Sequence, residues 1–134
     1  MLRTIIIALV VALALTACAL ERNNPLDPQN NSDIEVPQTV TGLDLAASGQ
    51  GSVVKFVKVY WDSITEAEGY YLYRALSYNG SYQNLVPTGI PNADSLMYYD
   101  SNVYSGNYYY YKVSAYNEAG LEGPVSAPLG ILVQ

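Results

Sequence analysis

The sequence predicts an all-β fold, a seven-stranded antiparallel β-sandwich, for residues 37–134. Three observations lead to this class. Apolar and aromatic residues alternate with polar ones in seven short runs, turn-forming residues separate the runs, and no stretch follows the 3.6-residue period of an amphipathic helix. Short strands with turn signals about every 8–12 residues are typical of two packed antiparallel sheets.

The individual strands are predicted from local alternation and from the turns between them. The second strand alternates most clearly, because Val57, Val59 and Trp61 fall on one side and more polar neighbours fall on the other. The third strand ends before Asn79-Gly80, a pair that favours a tight turn. The predicted strands are residues 39–46, 53–62, 69–75, 82–86, 95–100, 108–117 and 124–133.

The connections in the second half of this region are also readable. Residues 87–94 are predicted to form a loop, since they lack a strand period and contain Pro87 and Pro91. The run Ser105-Gly106-Asn107 predicts the turn into the long tyrosine-rich strand. We expect this strand to place Tyr109 and every second residue after it in the core.

Several of these runs resemble the fibronectin type III family. The resemblance rests on Trp61, on Gly69-Tyr-Tyr-Leu-Tyr-Arg74, and on Tyr109-Tyr-Tyr-Lys-Val-Ser-Ala-Tyr-Asn117, followed by glycines, Pro124 and Ser126. It covers residues 37–134 and implies an immunoglobulin-like β-sandwich without a disulfide between the sheets. The resemblance further implies that Trp61 fills the core and that Tyr109 is the tyrosine-corner residue, with its hydroxyl bonded to the backbone.

The N-terminal segment is predicted to be an export signal. Arg3 precedes a short apolar run that ends at Leu15-Thr16-Ala17-Cys18, which resembles the lipobox of bacterial lipoproteins. That resemblance implies a signal peptide at residues 1–17, a lipidated Cys18 that holds the protein on a membrane, and a flexible tether over residues 18–36. It also implies a location in the bacterial cell envelope, favouring the outer membrane where the host has one. The alternative is ordinary signal cleavage after Ala19, which would release a soluble product.

The composition argues against several functional classes. The chain has 12 acidic and 6 basic residues, so a basic surface for nucleic acid is not expected. It contains no histidine, and no phosphate-binding or nucleophile motif appears, so we expect neither an enzyme nor a cofactor. Three carboxylates, Asp62, Glu66 and Glu68, follow Trp61, and we expect them to be solvated. No run has the spacing of a metal site.

Tyrosine supplies the candidate binding residues. All 14 tyrosines lie between Tyr60 and Tyr116, and strand alternation turns four of them away from the core. The family resemblance implies that their two strands pair in one sheet, so that the four share one outer face. Such a face could recognise a protein or glycan, or it could simply stabilise the sheet through cross-strand pairs. The sequence therefore suggests a lipid-anchored binding or adhesion module. The alternative is a non-catalytic structural or accessory subunit of an envelope assembly. The four candidate residues are Tyr71, Tyr73, Tyr108 and Tyr110.

Overall fold

A computed structural model describes residues 35–134, which form two antiparallel β-sheets and contain no helix. The expected signal peptide, Cys18 and nearly all of the expected tether lie outside the described residues. The strands are β1 (Asp44–Ala47), β2 (Val57–Tyr60), β3 (Gly69–Ala75), β4 (Gln83–Asn84), β5 (Ile90–Pro91), β6 (Met97–Asp100), β7 (Tyr108–Tyr116) and β8 (Leu129–Leu132).

The strands are divided between a three-stranded and a five-stranded sheet. The smaller sheet has the order β1-β2-β6, and the larger has the order β4-β3-β7-β8, with β5 also paired to β3. The longest pairing joins β3 to β7 along the whole of β3, from Gly69 opposite Tyr116 to Ala75 opposite Tyr110. These two strands therefore set the geometry of the larger sheet and of its outer face.

The hydrophobic core contains the residues that alternation placed inward. Val57, Val59 and Trp61 are buried on the smaller sheet, and Trp61 is only 4% exposed. Its ring lies 5.4 Å from that of Tyr70, centroid to centroid. From β3 and β7 the core receives Tyr70, Leu72, Tyr109, Tyr111, Val113 and Ala115.

The tyrosine corner is also present. Tyr109 is buried, and its hydroxyl accepts a hydrogen bond of 3.0 Å from the backbone N–H of Tyr104. This bond fixes the loop before β7 against the N-terminal end of that strand. The role that the family resemblance implied for Tyr109 is therefore confirmed.

A buried ion pair connects the two sheets, and the sequence did not predict it. Arg74 of β3 donates to Asp100 of β6 at 2.7 Å. The same carboxylate accepts a hydrogen bond of 2.8 Å from the Tyr111 hydroxyl and one of 3.0 Å from the Asn102 N–H. Burial, followed by the charge of Asp100, raises the pKa of Tyr111, so the phenol remains a donor. Asp100 therefore has three donors, and its charge is well compensated.

The observed strands are shorter than predicted at both ends of the domain. In the first predicted strand, only Asp44–Ala47 pairs with β2, and in the last, only Leu129–Leu132 pairs with β7. The predicted loop 87–94 contains the two-residue strand β5, which brings the number of strand segments to eight. Outside these ladders some residues still make single backbone bonds, such as that from the Ser126 N–H to the Val113 carbonyl at 2.8 Å. Period-2 alternation extends beyond the regular ladder, so it overestimates strand length.

Val36–Gln134 forms one compact unit. Between residues 35 and 134 the structure contains no helix of the length and hydrophobicity needed to cross a membrane.

Candidate functional site

The four candidate tyrosines lie on the outer face of the β3–β7 pair, as strand alternation predicted. Tyr71, Tyr73 and Tyr110 are half-buried and Tyr108 is 46% exposed, whereas the alternate residues of both strands are in the core. The structure does not bring all four together, because the β3–β7 register places Tyr71 opposite Ser114 and Tyr73 opposite Lys112. We call the outer side chains of this pair and their covering residues the tyrosine face.

One end of the tyrosine face is an aromatic cluster at the start of β7. The ring of Tyr108 lies 5.1 Å from that of Tyr110, and Tyr78 meets Tyr110 edge-on at 5.9 Å. The rings of Tyr108 and Tyr110 lie over Gly130 of β8, where an added Cβ would come within 2.6 Å of each ring. The missing side chain at Gly130 is therefore what lets the two rings lie against the sheet.

The other end of the face is a pair formed by Tyr71 and Tyr116. Their ring centroids are 4.9 Å apart with an interplanar angle of 37°. Tyr116 covers Gly69, where a Cβ would lie 2.3 Å from its hydroxyl oxygen. Burial, and then the neighbouring Tyr71 and Glu68, raises the pKa of Tyr116, so its phenol stays neutral.

A polar centre separates the two aromatic ends. The Tyr73 hydroxyl donates to the Glu122 carboxylate at 2.6 Å, and the Ser114 hydroxyl donates to the same oxygen. Next to them, the Lys112 ammonium lies 4.1 Å from the ring centroid of Tyr82. Burial and the hydrogen bond to Glu122 raise the pKa of Tyr73 to about 12. The centre thus combines a neutral phenol, a carboxylate and a cation.

Several residues of this face were not among the candidates predicted from the sequence. Lys112 and Ser114 follow from the same period-2 alternation that identified Tyr110, so a signal for them was present. Glu122 and Tyr82 had no such signal, since they lie outside both strands and reach the face only through the folded arrangement of the chain. The carboxylates Asp62, Glu66 and Glu68 are exposed and lie in the loop between β2 and β3, where Glu68 adjoins Tyr116 at the edge of this face.

Metal binding finds no support among the described residues. Within residues 35–134, no three histidine, cysteine, aspartate or glutamate side chains lie close enough to hold a metal ion together. The acidic centre at Glu122 is occupied by two hydroxyl donors instead.

Comparison with known proteins identifies the fold. No protein-family model and no curated protein matches the sequence. Among solved structures, an Fn3-like protein from Clostridium thermocellum is 26% identical with a TM-score of 0.54, covering 75% of this chain and 93% of its own. The structure titled FN3tt mut is 22% identical, with a TM-score of 0.55 and coverage of 73% and 97%.

A longer animal protein is also similar. The chicken CNTN1 FN1-FN3 domains match with a TM-score of 0.60 and 18% identity over 74% of this chain. This chain spans about a third of that structure, 31% of its length. Taken together with the two sheets and their order, these similarities show that the described part of the chain has the fibronectin type III fold.

Proposed function

We propose that the protein is a non-catalytic binding or adhesion module of the bacterial cell envelope, which recognises a protein or glycan through its tyrosine face. The observation that carries this proposal is the set of outward tyrosines on β3 and β7, including Tyr71, Tyr73, Tyr108 and Tyr110. The fibronectin type III fold is often used for binding or adhesion, although a fold alone does not define a function.

The physical properties of the face support recognition. Aromatic side chains that pack against neighbours lose little conformational entropy on binding, and tyrosine combines apolar area with a hydroxyl group. The ring contacts of Tyr108 with Tyr110 and of Tyr71 with Tyr116 hold these side chains before any partner arrives. The polar centre at Glu122 and Lys112 supplies charges that would orient a partner.

The proposal includes a lipid anchor at Cys18 and a tether that links it to the domain. The lipobox-like sequence before Cys18 supports this part. Two or three acyl chains at about 0.8 kcal/mol per buried methylene would make a durable attachment, whereas a single chain would be marginal. The acidic composition points to the lipid itself, not a basic surface, as the source of membrane affinity.

A structural or accessory role in a larger envelope assembly is the second candidate. It is favoured by the half-buried state of Tyr71 and Tyr73 and by the hydrogen bond that already satisfies the Tyr73 hydroxyl. Under this alternative the same face is a permanent interface whose tyrosines chiefly stabilise the sheet.

Affinity capture from detergent-solubilised envelopes, combined with a glycan microarray, tests the proposal. The Tyr71→Ser/Tyr108→Ser double variant should lose the ligand, at a stability cost of about 0.2–1 kcal/mol for each exposed cross-strand pair. A matched control, Tyr60→Ser/Tyr99→Ser, removes two exposed tyrosines from the smaller sheet and should still bind the ligand. If both double variants bind as well as the unmodified protein, the tyrosine face is not the recognition surface.

A further inference from the structure

A groove opens at the end of the sandwich where β3 ends and β7 begins. Its volume is about 550 Å³, within the range of about 300–1,000 Å³ typical of small-molecule sites. Arg74 and Tyr109 form its floor, the turn after β3 forms one wall, and the loop before β7 forms the other. It lies beside the tyrosine face on the outside of the sheet and shares with it the turn that carries Tyr78 and Tyr82.

The lining of the groove is close to electrically neutral. Its one cation, Arg74, is paired with Asp100 at 2.7 Å and also donates to the Asn102 carbonyl at 2.7 Å. The guanidinium carbon of Arg74 lies 5.3 Å from the ring centroid of Tyr109, so this ring covers part of the guanidinium group. No carboxylate is among the lining residues. A charged ligand would therefore find no unpaired opposite charge in the groove.

The walls combine amide and hydroxyl groups with exposed apolar surface. The side chains of Gln83, Asn102 and Asn107 are exposed, and amides both donate and accept hydrogen bonds. Tyr104 is 67% exposed and Leu76 is 71% exposed, one on each wall. A sugar ring matches this combination, because its hydroxyl groups need mixed donors and acceptors while its C–H face packs on an aromatic ring.

Both walls are held in place by the protein itself. In the loop wall, the Tyr104 N–H donates to Tyr109, and the Gly106 N–H donates 2.8 Å to the Val133 carbonyl. In the turn wall, the Tyr82 hydroxyl donates to the Tyr78 carbonyl at 2.9 Å. A ligand would not have to order these segments, so less binding free energy is lost.

The groove lies at the end of the sandwich opposite the start of the described chain. Pro37 lies against Gly123, because a Cβ added to Gly123 would lie only 2.2 Å from the Pro37 carbonyl oxygen. The Gly123 N–H donates to the Ala115 carbonyl near the end of β7, whereas the groove lies beside Tyr109 at its beginning, so about 20 Å of extended strand separates the two.

We propose that this groove is a binding site for a neutral oligosaccharide, with Tyr104 as the stacking ring and Asn107 and Gln83 as hydrogen-bonding side chains. The assignment of this groove does not rest on the proposed function. The binding chemistry follows from the groove alone, so either proposal can fail without the other.

Isothermal titration calorimetry on the full chain, in a detergent without a sugar headgroup, tests this assignment. The probes are cellotetraose, maltotetraose and chitotetraose, with tetragalacturonic acid as the acidic comparison, each up to about 10 mM. At least one neutral probe should bind, and Tyr104→Ala should weaken it about tenfold because the stacking contact is lost. Tyr104→Ala keeps the backbone N–H that bonds Tyr109.

Control variants separate the groove from the tyrosine face and from damage to the fold. Tyr99→Ala, an exposed tyrosine on the smaller sheet, should bind as the unmodified protein does. Tyr71→Ser/Tyr108→Ser, measured in parallel, distinguishes the groove from the tyrosine face. The assignment is overturned when no neutral probe binds, when only tetragalacturonic acid binds, or when Tyr104→Ala has no effect. If binding is lost only in the Tyr71/Tyr108 variant, the glycan site lies on the tyrosine face, which overturns the groove and supports the proposed function.

Discussion

Removing the charge of Asp100 should destabilise the protein strongly. Asp100 is 4% exposed and compensates Arg74, whose side chain is only 17% exposed, so Asp100→Asn leaves a largely buried cation without its partner. Breaking a buried pair in this way costs about 3–5 kcal/mol. Because Arg74 keeps some contact with water and its bond to the Asn102 carbonyl, we expect the lower end, about 3 kcal/mol.

A double-mutant cycle separates the ion pair from the rest of the network. Arg74→Met leaves Asp100 with the Tyr111 hydroxyl and the Asn102 N–H, so it should cost less than Asp100→Asn. The combined variant should be less destabilised than the sum of the two single variants, with a coupling of about 1–3 kcal/mol. Asp94→Asn, at an exposed loop carboxylate, is the matched control and should change stability by less than about 0.5 kcal/mol.

Equilibrium unfolding in guanidinium chloride measures these differences. Trp61 is the only tryptophan and lies in the core, so its fluorescence reports the loss of packing between the sheets. Coincident transitions by circular dichroism would show that unfolding is two-state. A cost of less than about 1 kcal/mol for Asp100→Asn, or additive effects of the two single variants, would contradict the stabilising role of the ion pair.

Three further predictions address the core, the pH dependence and the anchor. Trp61→Ala should cost about 3–5 kcal/mol, measured by circular dichroism, and Trp61→Phe should cost less; a fully stable alanine variant would contradict the core position of Trp61. Stability should fall as the pH rises from about 10 to about 12, because Tyr73 has the higher pKa in the folded state and the unfolded chain loses that proton first. In Tyr73→Phe the free energy of unfolding, measured in urea at each pH, should decrease less between about pH 10 and about pH 12. An unchanged decrease would argue against the bond from Tyr73 to Glu122. Cys18→Ser should abolish acyl labelling and leave the precursor uncleaved in cells; an unlabelled wild-type protein that begins at Leu20 would contradict lipidation.

Strand alternation predicted the burial of individual residues well and the limits of strands less well. Val57, Val59 and Trp61 are buried as expected, and β3 has the predicted bounds, because side-chain direction in a strand depends only on local geometry. Strand β5 was missed, since its pairing of Ile90 with Tyr70 depends on a neighbour about 20 residues away. Local sequence carries no information on such a partner.

The candidate site shows the same division. The outward direction of Tyr71, Tyr73, Tyr108 and Tyr110 followed from alternation, but their neighbours did not. Tyr73 lies opposite Lys112 because of the register between β3 and β7, and register is a property of two strands together.

Local sequence was enough to predict the all-β class, the inward and outward side of each main strand, and the tyrosine-rich character of one face. These depend on period-2 geometry and residue type, which are local. Three features appear only in the folded domain: Arg74 contacts Asp100 between the sheets, Tyr73 bonds to Glu122, and two loops enclose a groove beside Tyr104. Each of these joins residues from separate elements, and such contacts exist only once the sheets have paired and packed.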